Sequence, residues 1–228
     1  MTAIGGTPLR LFIFARHAES VANADHVLST DPSRPAALTE RGRAQARALG
    51  AQLANVPIDL TVCSRLPRAR ETISIALGGR PVPVVIEPGF DEIRAGDLDG
   101  KPIQAYWDWI GQHTAEDRLP HGESVDDALR RYAGALRWLL ATAGTIVLVI
   151  THELALRHVA AAAAPEQPPR PDTDFANAVP YLFDSGALWR AAAGLAAPED
   201  VPGADRANGA RVPQLAAARL KDPYAPGK

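Results

Sequence analysis

Residues 145–151 read TIVLVIT, β-branched at every position except Leu148, and the run stops at His152. Two heavy atoms on Cβ restrict χ1 and suit a pleated backbone. No polar residue alternates into the run between its terminal threonines, so a strand covered on both faces is expected. Its end then presents a titratable side chain. Three further apolar runs read the same way: Leu9 to Phe14, halting at Arg16 and His17, Leu60 to Cys63, and Val82 to Ile86.

Helix signals lie between these runs. Thr39 can cap a helix reaching about Ala54, Pro67 suits the first turn of one reaching Leu77, and Ser124 can cap a third. The third carries Val125, Leu129, Tyr132, Leu136 and Leu139 at spacings of three and four, a stripe expected to be buried. Strands alternating with helices predict a single three-layer α/β domain over residues 1–193, its mostly parallel sheet covered by helices on both faces. In such sheets ligands collect outside the carboxyl ends of the strands. The polar groups at 16–17, 64–68 and 152 are therefore expected on one rim. Residues 103–118, with Trp107 and Trp109, either cover that rim as a lid or simply pack. Residues 179–183 and 187–192, separated by DSG, predict a terminal hairpin. From Gly194 to Lys228 the chain is rich in Ala, Pro, Gly and Asp, which predicts an extended or disordered tail.

Composition narrows the partners. Across 228 residues the formal charge is −2 and the sequence pI about 6.3, so no global basic field exists to hold nucleic acid or an anionic membrane. One cysteine, Cys63, excludes an internal disulfide and any CxxC cluster. No apolar stretch approaches the roughly 20 residues needed to span a bilayer, and the start lacks the pattern of a secretory signal. A cytoplasmic protein acting on a small molecule is the expectation, and the oligomeric state is left open.

Phosphoryl transfer needs donors for phosphate oxygens, an in-line nucleophile and an acid for the leaving oxygen. The segment ARHAESVAN, residues 15–23, offers several parts together: Arg16 to hold phosphate bidentately, neutral His17 to attack it, and Asn23 to donate an amide hydrogen bond. Ser20 can donate to phosphate or cap the following turn. Each residue also has a plainer reading, since arginines are mostly surface charges and a lone histidine is often a satisfied core residue. His26, His113, His121 and His158 take that plainer reading.

At these residues the chain resembles the histidine phosphatase superfamily, also called the phosphoglycerate mutase-like family, whose signature is Arg-His-Gly-Glu/Gln-Ser/Thr after the first strand. Here the segment is RHAES, with Asn23 six positions after His17. ALTERGRAQARALG resembles the family's first-helix segment, and SRLPRARET its segment with a second phosphate-binding arginine, which falls on Arg68. FDEIRAGDLDG resembles the proton-donor segment and places that role on Glu92. PHGES, then VLVITHE, matches the approach to a second histidine, His152. The resemblance implies catalysis by His17, Glu92 and His152, phosphate binding by Arg16 and Arg68, and no cofactor or metal. Two positions depart from it: Ala18 and Glu153 stand where the family has, or commonly has, glycine. A side chain at 18 crowds the turn if its φ is positive, and a carboxylate at 153 sits beside a site for a dianion, which makes Glu153 a candidate for tuning substrate choice.

The function implied is a phosphomonoesterase acting on a small phosphorylated metabolite through phosphohistidine. Two alternatives remain at this stage. One is a phosphoglycerate-type mutase, although the glycolytic mutases carry a longer insertion than the 27 residues between Glu92 and Pro120. The other is a phosphate-ligand or protein-binding member of weakened activity.

Overall fold

The computed structural model describes residues 10–196 except 35, 143, 168, 171, 172 and 174, so the predicted tail from 197 onward lies outside the described residues. The chain runs β1 (Leu11–Arg16), α1 (Val21–Ala24), α2 (Glu40–Gln52), β2 (Leu60–Cys63), α3 (Pro67–Leu77), β3 (Val84–Ile86), α4 (Ile103–Ile110), α5 (Val125–Ala141), β4 (Ile146–Thr151), α6 (Glu153–Ala163), β5 (Pro180–Asp184) and α7 (Ser185–Leu195). Strand order is β3-β2-β4-β1-β5. The pairs β1–β4, β2–β4 and β2–β3 are parallel, and β5 runs antiparallel to β1.

Alternation along the strands divides the core into two layers. Phe12, Phe14, Val62, Val147 and Val149 point to the face covered by α5, α6 and α7. Ile13, Ala15, Cys63, Leu148 and Ile150 point to the face covered by α2 and α3. Both faces of the central strands are therefore dry, as their uninterrupted apolar runs require. The predicted stripe on α5 is observed, with Leu129, Tyr132, Leu136 and Leu139 all buried. The helix caps are local: at α2 Thr39 accepts from Gly42 N, at α5 Ser124 forms a reciprocal capping box with Asp127, and α3 starts on Pro67 and ends at Gly78 with φ 56°.

The predicted terminal hairpin is incorrect in its second arm. Only β5 is a strand, and the DSG turn opens α7. Asp184 accepts from Ala187 N at 2.7 Å and so caps a helix. The following residues favour that outcome, because Leu188, Ala191, Ala192 and Leu195 recur at helical spacing and bury against α5 and α6. With the hairpin gone, β5 is the edge of the sheet beside β1.

Parallel pairing sets the rim. Arg16 stands opposite Thr151, and Cys63 opposite Ile150, so the chain leaves β1, β2 and β4 at one end of the sheet. The turn after β1 is pinned to α2, where Thr39 N donates to Glu19 O at 3.0 Å. Gly42 lies directly against that carbonyl, and a Cβ there would overlap Glu19 O. Gly42→Ala should therefore lower stability by about 1–3 kcal/mol, a fall of several degrees in Tm by calorimetry. An unchanged Tm would show that the turn carrying His17 yields freely.

Candidate active site

Four elements meet at the rim. The end of β1 supplies Arg16 and the residue after it His17, whose N–H donates to Thr151 O at 2.9 Å. The first turn of α3 supplies Arg68, the N-cap of α6 His152 and its first residue Glu153. Glu92 comes from the loop that follows a short 3-10 turn at Pro88–Phe90. Arg16, His17, Arg68 and His152 are all buried, and the two imidazoles lie 5.0 Å apart between centroids.

Hydrogen bonds assign the tautomers. His17 Nδ1 lies 2.7 Å from the Ala18 carbonyl, which can only accept, so Nδ1 carries the proton. Nε2 is left with its lone pair, which accepts from Arg68 Nε at 2.9 Å. Arg68 Nη2 donates to His152 Nδ1 at 3.2 Å. The His152 proton therefore sits on Nε2 and is donated to Ser64 Oγ at 2.7 Å. Arg68 Nη1 is buried with no hydrogen-bond partner among the described residues, a donor ready for an anion.

Charge favours neutral imidazoles here. Burial, then Arg68 and Arg16, pull His17 well below its ordinary 6.5. Burial, then Arg68, lowers His152 in the same way. Burial brings Arg68 down to about 10, which leaves it charged at neutral pH. Glu92 moves the other way. Burial raises its carboxyl above 4.5, with a smaller contribution from Glu153, against a hydrogen bond from Ile93 N and the charges of Arg68 and Arg16.

The remaining predicted residues are placed as follows. Ser20 and Asn23 border the cleft and form the capping box of α1: the Ser20 hydroxyl and N–H both donate to Asn23 Oδ1, at 2.9 and 3.0 Å. This is the capping reading of Ser20, and it leaves the Asn23 amide group to face a ligand. Glu153 also borders the cleft, paired with Arg16 and Arg157 at 2.8 Å each. Ala18 is buried, is not among the residues with positive φ, and donates its N–H to Thr72 Oγ1 at 3.0 Å. A methyl group is thus harmless at that turn. From the predicted lid, Ile103, Tyr106 and Trp107 of α4 wall the cleft, whereas Trp109 stacks on His113. Arg65 turns instead to Asp91, and Arg94 to Glu123 rather than Glu92.

Several contributors went unread in the sequence. Thr72 lies inside the SRLPRARET segment, beyond the polar stretch 64–68 that was expected on the rim and that includes Ser64. Asn177, whose Nδ2 donates to His17 O at 2.7 Å, and Phe175, whose carbonyl takes Arg16 Nη1 at 3.3 Å, arrive from about 160 residues away and had no signal. His26 borders the cleft with φ 53°. Among the described residues, no group of three or more His, Cys, Asp or Glu is placed to hold a metal, and no helix is long and apolar enough to cross a membrane.

The family model of the histidine phosphatase superfamily, branch 1, matches residues 12–179. The chain belongs to this superfamily. Its relatives include the adenosylcobalamin/α-ribazole phosphatase of Salmonella typhimurium, 40% identical over 91 residues, 40% of this chain and 44% of that one. They also include a 2,3-bisphosphoglycerate-dependent phosphoglycerate mutase of Gloeobacter violaceus, 30% identical across 66% of this chain and 74% of that one. The match thus spans under half the length of the α-ribazole phosphatase. Among solved structures, the α-ribazole phosphatase of Shigella flexneri superposes with a TM-score of 0.56 at 27% identity, covering 67% of this chain and 79% of that one. The YhfR protein of Bacillus stearothermophilus shares the fold, with a TM-score of 0.65 at 24% identity over 76% of this chain and 90% of that one.

The neutral imidazoles set an expectation for pH. A histidine held below 6.5 in the folded state binds fewer protons than in the unfolded chain, so stability is full above pH 6.5 and declines as pH falls below it. Phosphatase assays should place the acid limb of kcat/KM below 6.5 once the ester's own ionisation is divided out, and the alkaline limb above the ordinary 4.5 of a glutamate. An acid limb at or above 6.5 would mean that the buried imidazoles are not neutral.

Proposed function

We propose that the protein is a phosphomonoesterase that transfers the phosphoryl group of a small phosphate ester to His17 and then to water. The observation that carries this reading is the pairing, at one buried point, of the unprotonated Nε2 of His17 with an unpartnered N–H of Arg68. In the first step Arg68 turns its N–H from the imidazole of His17 to a phosphate oxygen, Arg16 and the Asn23 amide hold the rest of the group, and His152, its N–H on Ser64, keeps Arg68 in place through Nδ1. His17 Nε2 forms a bond to phosphorus as the ester P–O bond breaks, and the Glu92 carboxyl gives its proton to the leaving oxygen. In the second step water attacks phosphorus, Glu92 takes the proton, the P–N bond breaks and inorganic phosphate departs. Each of these groups serves by position and charge.

Relatives named as α-ribazole phosphatases put α-ribazole 5′-phosphate first in a panel of candidate esters. The mutase reading is favoured by relatives named as phosphoglycerate mutases, the Gloeobacter protein and Yersinia proteins among them. It requires transfer from His17 back to 3-phosphoglycerate in the presence of the bisphosphate primer, whereas a phosphatase releases inorganic phosphate with or without primer. A purely binding member is disfavoured by the negative φ of Ala18 and by the convergence of both histidines on Arg68.

Quenching with labelled substrate should trap an acid-labile, base-stable phosphohistidine that disappears in His17→Ala along with turnover of p-nitrophenyl phosphate. Label that survives the substitution assigns the nucleophile to another residue.

Glu153 is proposed to set substrate charge. Its carboxylate already holds Arg16, so an incoming phosphate competes with it, and any second anionic group on the substrate meets the same charge. Two like charges 4 Å apart repel by about 1 kcal/mol even in bulk water, about fivefold in rate. Glu153→Gln should therefore raise kcat/KM for a bisphosphate or phospho-carboxylate about fivefold more than for p-nitrophenyl phosphate, with the gap closing at high salt. Equal effects on both classes, or none, would remove Glu153 from substrate selection.

A further inference from the structure

Residues 89–92 carry Glu92 into the cleft, and no strand among the described residues pairs with their backbone. Their carbonyls are instead held by side chains. Arg131 of α5 donates through Nη1 to Gly89 O and Asp91 O, both at 3.0 Å, and through Nη2 to Glu92 O at 3.2 Å. Thr151, at the end of β4, donates to Phe90 O at 2.9 Å. One guanidinium fork thus spans both sides of Glu92.

The fork is itself fixed. Glu123 accepts from Arg131 Nε at 2.9 Å and Nη2 at 2.8 Å, and from the Arg94 N–H and guanidinium at 3.0 and 2.6 Å. Burial alone would raise Glu123, but the bonds from Arg131 and Arg94 outweigh it and hold the carboxyl at about 2, so the pair is ionic throughout the working range. On the outer side of the loop, Arg65, Arg94 and Arg131 border a cavity of about 470 Å³ together with Asp91 and Trp138. All three arginines are engaged by Asp91 or Glu123, so their charge is directed at the loop rather than at the cavity.

We propose that Arg131, braced by Glu123, is a positioning residue that aims Glu92 at the leaving oxygen. The proposal rests on the reading of Glu92 as the acid. Arg131 lies behind the loop and contacts its backbone, and it does not line the cleft that holds His17. A lysine keeps the charge but cannot reach three carbonyls and a carboxylate with one rigid fork.

Leaving-group dependence isolates this role, because p-nitrophenolate departs without a proton and an alkoxide does not. With β-glycerophosphate as the alkyl ester, Arg131→Lys should lower kcat/KM, which reads the first transfer and not the hydrolysis shared by both esters, about tenfold or more, while kcat/KM for p-nitrophenyl phosphate falls by less than about threefold. Inhibition by inorganic phosphate should be unchanged, since the arginines of the cleft are untouched. Glu92→Gln should show the same split, only larger. The double variant Glu123→Gln/Arg131→Met, which leaves no buried charge unpaired, gives the same comparison if a single change proves too unstable to purify. If Glu92→Gln splits the two esters and both Arg131 variants slow them equally, or slow neither, Arg131 only supports the fold and the proposal is overturned. If Glu92→Gln itself shows no split, the acid has been misassigned, and the proposal falls with that reading.

Discussion

Arg68 carries a positive charge into the protein between two imidazoles, and the geometry of the rim follows from how that charge is held. A buried charge is costly unless it is paired or hydrogen-bonded. Among the described residues, no carboxylate is bonded to Arg68. Its Nε and Nη2 instead donate to the lone pairs of His17 and His152, which forces both rings into one tautomer each and keeps them neutral. Thr72 locks the same turn of α3 by donating to Arg68 O at 2.7 Å while accepting from Ala18 N–H. The remaining Nη1 has no hydrogen-bond partner among the described residues. An anion is the natural complement to this arrangement, since it would satisfy the free donor and offset the guanidinium charge without any reorganisation of the backbone.

Three carboxylates, two bordering the cleft and one behind the loop of Glu92, differ in their surroundings. Glu153 is paired with Arg16 and Arg157 at the start of α6, where the helix dipole favours negative charge. Glu123 is ionised in its network with Arg94 and Arg131 and faces away from the cleft. Glu92 has no such ion pair, and burial favours its protonated form. Carboxyl groups driven apart in this way can take different parts in one reaction, one keeping a proton and another keeping a charge. The division is made by which guanidinium each carboxylate reaches, a property of the packing between α5, α6 and the loop after β3.

Much of the fold was legible because its signals are local. Buried parallel strands must be apolar on both faces, so β1, β2 and β4 stand out as unbroken runs, and Thr39, Pro67 and Ser124 mark helix starts through bonds made within one turn. The terminal segment was misread because DSG serves equally as a hairpin turn and as a helix cap. The decision between them lay in Leu188, Ala191, Ala192 and Leu195 finding α5 and α6 to pack against. The core site residues were legible for a related reason. A strand followed at once by Arg-His, or by His-Glu, is an end that must open on something polar.

By itself, the sequence determined the alternation of strands and helices, the rim on which Arg16, His17, Arg68 and His152 meet, and the family signature they carry. The tertiary structure alone decided which atoms face one another. Asn177 reaches the His17 carbonyl only because β5 pairs antiparallel with β1, and Arg131 reaches the loop of Glu92 only because α5 crosses behind it. The carboxylate of Glu153 meets Arg16 only because β1 and β4 are in parallel register. Hydrogen bonds and ion pairs act over about 3 Å, and residues 40 to 160 positions apart come that close only when the whole sheet is assembled.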